Sequence, residues 1–207
     1  MLSKSKIMRG RQCHKSLWLY KHQPELREIS AGQEAIFQAG TDVGILAQDL
    51  FPGGVDATKG HDYPNRQCAT KTIELIEQGV EVIYEATFIF DDVLVAIDIL
   101  AKEGDVWNLY EVKSTTKVKP PHIPDAATQK YVAEGCGVTI GQVFLVHLNR
   151  DYVRQGELDI QSLFTKSEIT EDVYAFEDEI PQWIEDLKEV QLMESVPEVE
   201  IGPHCGN

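Results

Sequence analysis

In the stretch VLVAIDILAKEGDVWNLYEVKSTT, residues 93–116, a single carboxylate, Asp98, sits in an apolar run, and Glu111 and Lys113 follow two apart beyond a turn. A carboxylate buried in such surroundings is costly unless it is protonated, hydrogen-bonded or paired with a cation. Two carboxylates brought together can hold a hard divalent ion such as Mg²⁺, whose other positions go to water and phosphate oxygens. Such an ion acidifies bound water and stabilises charge at a phosphoryl centre. Lys113 beside it would orient that water or neutralise the developing oxyanion. The same residues also suit a plainer arrangement, an ion pair of Lys113 with one carboxylate at a solvated strand end.

Whether the three side chains meet depends on strand register. A two-residue hairpin turn centred on Glu103-Gly104 sets Asp98 opposite Leu109. Alternation then places Asp98, Leu109, Glu111 and Lys113 on one face, with Val93, Val95, Ile97, Ile99, Val106, Tyr110 and Val112 on the other. A turn one residue longer would send Asp98 to the opposite side.

The elements that must supply this hairpin are legible in the pattern. VEVIYEATFIF, VLVAIDILA and VWNLYEVKS are rich in β-branched and aromatic residues and are separated by DD and KEGD, which predicts a three-stranded antiparallel meander. Helices are expected over residues 5–22, over residues 32–50 despite two internal glycines, and over residues 67–78 ending at Gly79. IPDAATQKYVAEG, with Pro124 near its start, reads as a further helix, and GQVFLVHLN as a strand. EDEIPQWIEDLKEVQLM reads as a helix near the end of the chain. The fold class expected is mixed α/β, in one domain over residues 1–207. Its core spans about 32–150, with the N-terminal helix and an acidic helical part, residues 157–200, packed on it.

The net charge of −15 argues against a phosphate-rich partner, but its distribution is uneven. Residues 157–200 hold fourteen acidic side chains and only Lys166 and Lys188, whereas six of the nineteen basic residues fall between Lys4 and Lys21. Screening over about 8–10 Å lets a local basic surface act independently of a distant acidic one. No apolar run is long enough to span a membrane. The N-terminus lacks a secretory apolar region, and four scattered cysteines make no compact disulfide framework. The expectation is a cytoplasmic protein. Nucleotide-binding glycine motifs, an acyl-hydrolase elbow and an H-E-x-x-H helix are all missing from the sequence.

An Asp on one strand, Glu111-Val112-Lys113 on the next, a helix with Gln129 and Tyr131, and then a strand resemble the core of the PD-(D/E)XK nuclease superfamily. The similarity is greatest to its RecB-like branch, which includes CRISPR-associated iron–sulfur exonucleases and a related uncharacterised bacterial family. It runs from QCHKSLWL, residues 12–19, to the final GPHCGN, and rests on motif order more than on any single motif. The resemblance implies a restriction-endonuclease-like core: helix, antiparallel meander, helix, strand. It implies a DNA nuclease, of exonuclease type, using Mg²⁺ or Mn²⁺. Asp98 and Glu111 would be metal ligands, with the Val112 carbonyl as a third. Lys113 would assist the attacking water and Gln129 would contact the site. DNA is the implied partner, alongside proteins of DNA repair or defence systems.

Three departures bear on this reading. The family places its Tyr four residues after the Gln, whereas Tyr131 follows Gln129 by two, which puts them about 200° apart on a helix. Gly44 stands where RecB-like members carry a metal-binding His; Glu34, Asp42 or Gln48 would have to substitute, and Glu85 is a further carboxylate on the first strand. Iron–sulfur members clasp a 4Fe–4S cluster with one N-terminal and three C-terminal cysteines. Cys13 and Cys205 fit two of those positions, and the other two would belong to a longer chain or have been lost. Cys68 and Cys136 read as buried small residues. Gly44, the incomplete cysteine set and the acidic charge favour an alternative function, a catalytically inactive binding or scaffolding module. An unrelated α/β enzyme with a structural ion pair at these residues is a further possibility, favoured over the nuclease if Asp98 faces away from Glu111.

Overall fold

The computed structural model describes residues 1–200 and Gly202. The chain opens with β1 (Leu2–Ser3), α1 (Lys4–Gln12) and α2 (His14–His22), followed by α3 (Ala31–Gln48), β2 (Val55–Asp56) and α4 (Arg66–Glu77). The meander comprises β3 (Val82–Phe90), β4 (Val93–Glu103) and β5 (Val106–Lys113). Then come α5 (His122–Gly135), β6 (Ile140–Leu148), α6 (Ile160–Leu163), β7 (Phe164–Glu168), α7 (Thr170–Tyr174) and α8 (Ile180–Leu192).

These strands form one seven-stranded sheet in the order β2-β3-β4-β5-β6-β7, with β1 beside β4. β3, β4 and β5 pair antiparallel, and β6 returns parallel to β5 after the α5 crossover. The topology is restriction-endonuclease-like. One face of the sheet packs on α1, α4, α5, α7 and α8 through Phe88, Val95, Leu109, Leu145, Ile184 and Leu187. The other carries α3 and α6 over Tyr84, Ile99, Tyr110 and Val146.

Sequence accounts for several helix ends. Ser30 and Gln33 form a reciprocal capping box at the start of α3, so its two internal glycines do not interrupt it. Asn65 accepts from two backbone amides of α4, and Gly79, at φ 77°, closes that helix. α5 is buried over eleven of its fourteen residues, because small Ala126, Ala127 and Ala133 let it lie between the sheet and the helices behind it.

Tyr84 ties the end of α3 to the sheet. Its hydroxyl donates to the Phe51 and Gln48 carbonyls and accepts from the Gly54 amide, and a Cβ on Gly54 would fall 2.3 Å from the ring. Tyr84→Phe orphans these groups and is expected to cost about 1–3 kcal/mol, read as a lower urea midpoint. An unchanged midpoint would refute the tie.

Four expectations need correction. The helix expected over residues 5–22 is two helices, broken at Cys13, whose backbone is extended (φ −162°, ψ 115°). The break lets Gly10 press against Leu17 and Leu187 of α8, where a Cβ would meet a methyl carbon at 2.4 Å. The acidic part is not wholly helical, since β7 adds antiparallel to β6. The hairpin turn is Gly104-Asp105, with Glu103 paired to Val106, because Gly104 supplies the positive φ of 61° that the first turn position requires. Finally, Val93, Val95 and Ile97 pack on the α5 side but Ile99 packs on the α3 side, so the face pattern of β4 switches at Asp98.

Candidate active site

The switch at Asp98 has a local cause. Glu85 on β3 adopts φ 51°, a left-handed conformation rare for a residue with a Cβ, and the β3–β4 ladder skips it between Tyr84–Ile99 and Ala86–Ile97. On the other side, β4–β5 pairing ends at Ile99–Tyr110. The same register carried one residue further sets Asp98 across from Glu111. There the Asp98 side chain takes over from the ladder: its Oδ2 accepts the Val112 amide at 2.6 Å. Beyond this point β4 parts from β5, and β1 pairs with β4 at Leu2–Val93 and Ser3–Leu94. Since β3 holds one edge of β4 there, β1 occupies the edge that β5 has left.

Into this wedge project side chains from four elements. Glu111 on β5 is 1% exposed. Its Oε1 accepts from the Lys4 and Lys113 ammoniums, and its Oε2 accepts from Gln129 Nε2 at 2.7 Å. Asp125, one turn before Gln129 on α5, accepts from Lys113 Nζ at 2.7 Å and lies 3.7 Å from Lys4 Nζ. Asp98, Glu111, Lys113 and Gln129 are thus brought together as the sequence suggested, and Asp98 faces Glu111 through a shifted but parity-preserving register.

The site holds more acceptors than cations. Lys4 and Lys113 are its ammoniums, against the carboxyls of Glu85, Asp98, Glu111 and Asp125. Among the described residues Asp98 makes no ion pair, and Asp125 Oδ1 and Gln129 Oε1 are buried without a hydrogen-bond donor. Burial first, and then Glu111, push the Asp98 carboxyl well above its usual range. Burial works the same way on Glu111, but Lys113 and Lys4 overcome it and hold that carboxyl low. For both lysines burial opposes the charge, and the surrounding carboxylates more than restore it, so each keeps its proton. Burial pushes Glu85 up to about 7, with Asp56 and Glu111 adding and Lys4 opposing.

Glu85 therefore fixes the sign of a pH effect on the metal-free protein. Folded Glu85 keeps a proton that the unfolded chain releases near 4.5. Its contribution to stability is complete below that pH and is lost as pH rises through about 7. In EDTA, Glu85→Gln is expected to lose less melting temperature than wild type between those two values. Parallel declines would contradict this.

The remaining candidates lie elsewhere. Tyr131 donates to Asp91 and packs its ring edge-on against Phe90, at the β3–β4 turn. Gly44 has nothing within 4 Å of where a Cβ would stand. Glu34 is exposed, and Asp42, also exposed, accepts from Gln38 on its own helix. Of the N-terminal basic residues, Arg11 stacks on Trp183 at 3.6 Å and Lys21 donates to the Gln191 carbonyl. Those two serve packing, while Lys117 and Lys119, just beyond β5, stay exposed.

Cys205 lies outside the described residues. Cys13 is half-buried between α1 and α2, Cys68 is buried on α4, and Cys136 bonds the Ile89 carbonyl. These three described thiols lie at three separate places in the fold.

Asp125 and Lys4 are the members that sequence reasoning missed. Asp125 carried a signal, standing four before Gln129 on one helix face. Lys4 carried none, because its approach depends on a two-residue strand.

No family model matches the sequence, and no curated protein matches it. Among solved structures the chain is similar to an alkaline exonuclease from Laribacter hongkongensis, at 18% identity over 91% of each chain, with a TM-score of 0.44. It is also similar to a protein designated SSO0001, at 12% identity over 92% of this chain and 75% of the other, with a TM-score of 0.47. An antiparallel meander, a crossover helix and a parallel fourth strand give this chain its restriction-endonuclease-like core.

Proposed function

We propose that the protein is a metal-dependent deoxyribonuclease that hydrolyses phosphodiester bonds at DNA ends. The observation that carries this reading is the meeting of Asp98 with Glu111 where β4 leaves β5, in a buried polar cluster with unsatisfied acceptors. Among the described residues no group of three or more His, Cys, Asp or Glu is arranged to hold an ion. The protein's share would therefore be Asp98, Glu111 and the Val112 carbonyl. A set this sparse suits Mg²⁺ or Mn²⁺, which retain several waters and accept substrate oxygens.

When bound, the ion would polarise the scissile phosphate and acidify the attacking water. Lys113, an ammonium held by Glu111 and Asp125, would donate to that water or to the phosphate oxygens and so orient the attack. Gln129 would hold Glu111 in place through Oε2. Water would add its oxygen to phosphorus, and the bond to the leaving sugar oxygen would break, giving a phosphate monoester and a hydroxyl. Lys117 and Lys119 would meet the DNA backbone beside the site. Partners in DNA repair or defence would be consistent with such an activity.

Gly44 favours the second reading, a catalytically inactive binding module, since a ligand position of the resembled family is empty of any side chain. Incubation of end-labelled single- and double-stranded DNA with Mn²⁺ tests the two. The nuclease reading predicts products that EDTA suppresses; intact DNA of both kinds with bound protein would support the module.

A further inference from the structure

The N-terminal segment brings a lysine to this site that the chemistry above does not use. β1 is only two residues long, yet Leu2 is 1% exposed and Ile7, one turn into α1, is fully buried. Ser3 caps α1 by accepting from the Lys6 amide. These anchors fix the backbone on both sides of Lys4 and aim it into the wedge between β4 and β5.

The placement of Lys4 mirrors that of Lys113. Lys4 Nζ lies 2.9 Å from Glu111 Oε1 and 3.7 Å from Asp125 Oδ1, while Lys113 Nζ bonds the same Glu111 oxygen and Asp125 Oδ2 at 2.7 Å. The two side chains are 24% and 25% exposed, so both reach solvent at the mouth of the site. With two ammoniums on Oε1 and Gln129 on Oε2, Glu111 has no oxygen free of a donor. A divalent ion on Glu111 would meet the two ammoniums gathered at Oε1 and compete with them for the charge of the carboxylate. Lys113 would keep its short bond to Asp125, whereas the second contact of Lys4 is long, so Lys4 is the ammonium held less tightly.

We propose that Lys4 is a second lysine of the catalytic centre, which yields Glu111 to the divalent ion and turns to the scissile phosphate; this rests on the nuclease reading above. A lysine needed merely to neutralise Glu111 would duplicate Lys113. A cation that competes with the ion in the resting site and then meets the phosphate has a distinct role, and a distinct signature.

That signature is read with Lys4→Gln and Lys4→Arg. Without DNA, Mn²⁺ affinity followed by the electron-spin signal of the free ion is expected to rise about tenfold in Lys4→Gln, because a competing charge a few ångströms away is gone. DNA cleavage is expected to fall about 100-fold in the same variant. Lys4→Arg should keep affinity and cleavage near those of wild type. Weaker or unchanged Mn²⁺ binding in Lys4→Gln would overturn the competition, and unchanged cleavage would overturn the phosphate contact. If wild type binds Mn²⁺ and cuts DNA in those cases, the nuclease reading survives. A wild type that neither binds Mn²⁺ nor cuts overturns both.

Discussion

Asp98→Asn is expected to lower metal-dependent DNA cleavage by about 10³-fold while leaving the fold intact. Losing an anionic ligand removes several kcal/mol of charge stabilisation, and each 1.36 kcal/mol is about a factor of ten in rate. The amide keeps the shape of the carboxylate, and its oxygen can still accept the Val112 amide bond that stands in for the broken ladder. What it loses is the charge. Asp98 is also the carboxyl least reconciled with the metal-free site, with no ion pair and a raised pKa. Removing its charge should therefore raise the melting temperature in EDTA while lowering Mn²⁺ affinity. Equal cleavage by Asp98→Asn and wild type would remove Asp98 from the site.

Lys113→Ala is expected to lower cleavage by about 10²–10³-fold, the loss typical of one preorganised donor at a developing oxyanion, with Mn²⁺ binding no weaker. A lysine is not a metal ligand. Removing its charge from beside Glu111 would, as for Lys4, strengthen Mn²⁺ binding rather than weaken it, with Glu111 and Asp125 still paired with Lys4. The expected separation of binding from turnover is what marks Lys113 as acting on water or phosphate. If Mn²⁺ affinity and cleavage fell together, Lys113 would be holding the carboxylates in place. Single-turnover rates at saturating Mn²⁺ distinguish these outcomes.

The meander was legible because Val, Ile, Tyr and Phe dominate residues 82–113 and Gly104 punctuates them. The turn lay one residue later than expected, since Gly104 takes the first turn position. The error did not overturn the site, because moving the turn centre by one whole residue shifts each partner by two and preserves the face. The helix bearing Gln129 was legible too, and the phase difference that separates Tyr131 from it is borne out by the bond of Tyr131 to Asp91.

The elements that escaped are those whose stability is not local. β1 and β2 are two residues each, too short for any period. β7, FTKSE, buries only Phe164 and lies within an acidic stretch, so it lacks a strand signature and forms because β6 offers an edge. The switch of faces at Asp98 arises from positive φ at Glu85, which no propensity suggests for a glutamate. Lys4 enters the site only because β5 vacates an edge of β4 and β1 fills it. Each depends on pairing between segments distant in the sequence.

The most direct test of the account is cleavage of end-labelled DNA by wild type, Asp98→Asn and Lys113→Ala in parallel, in Mn²⁺ and in EDTA. The account predicts products from wild type in Mn²⁺ alone, with both variants nearly silent. Products that persist in EDTA, or that both variants make at the wild-type rate, would contradict it.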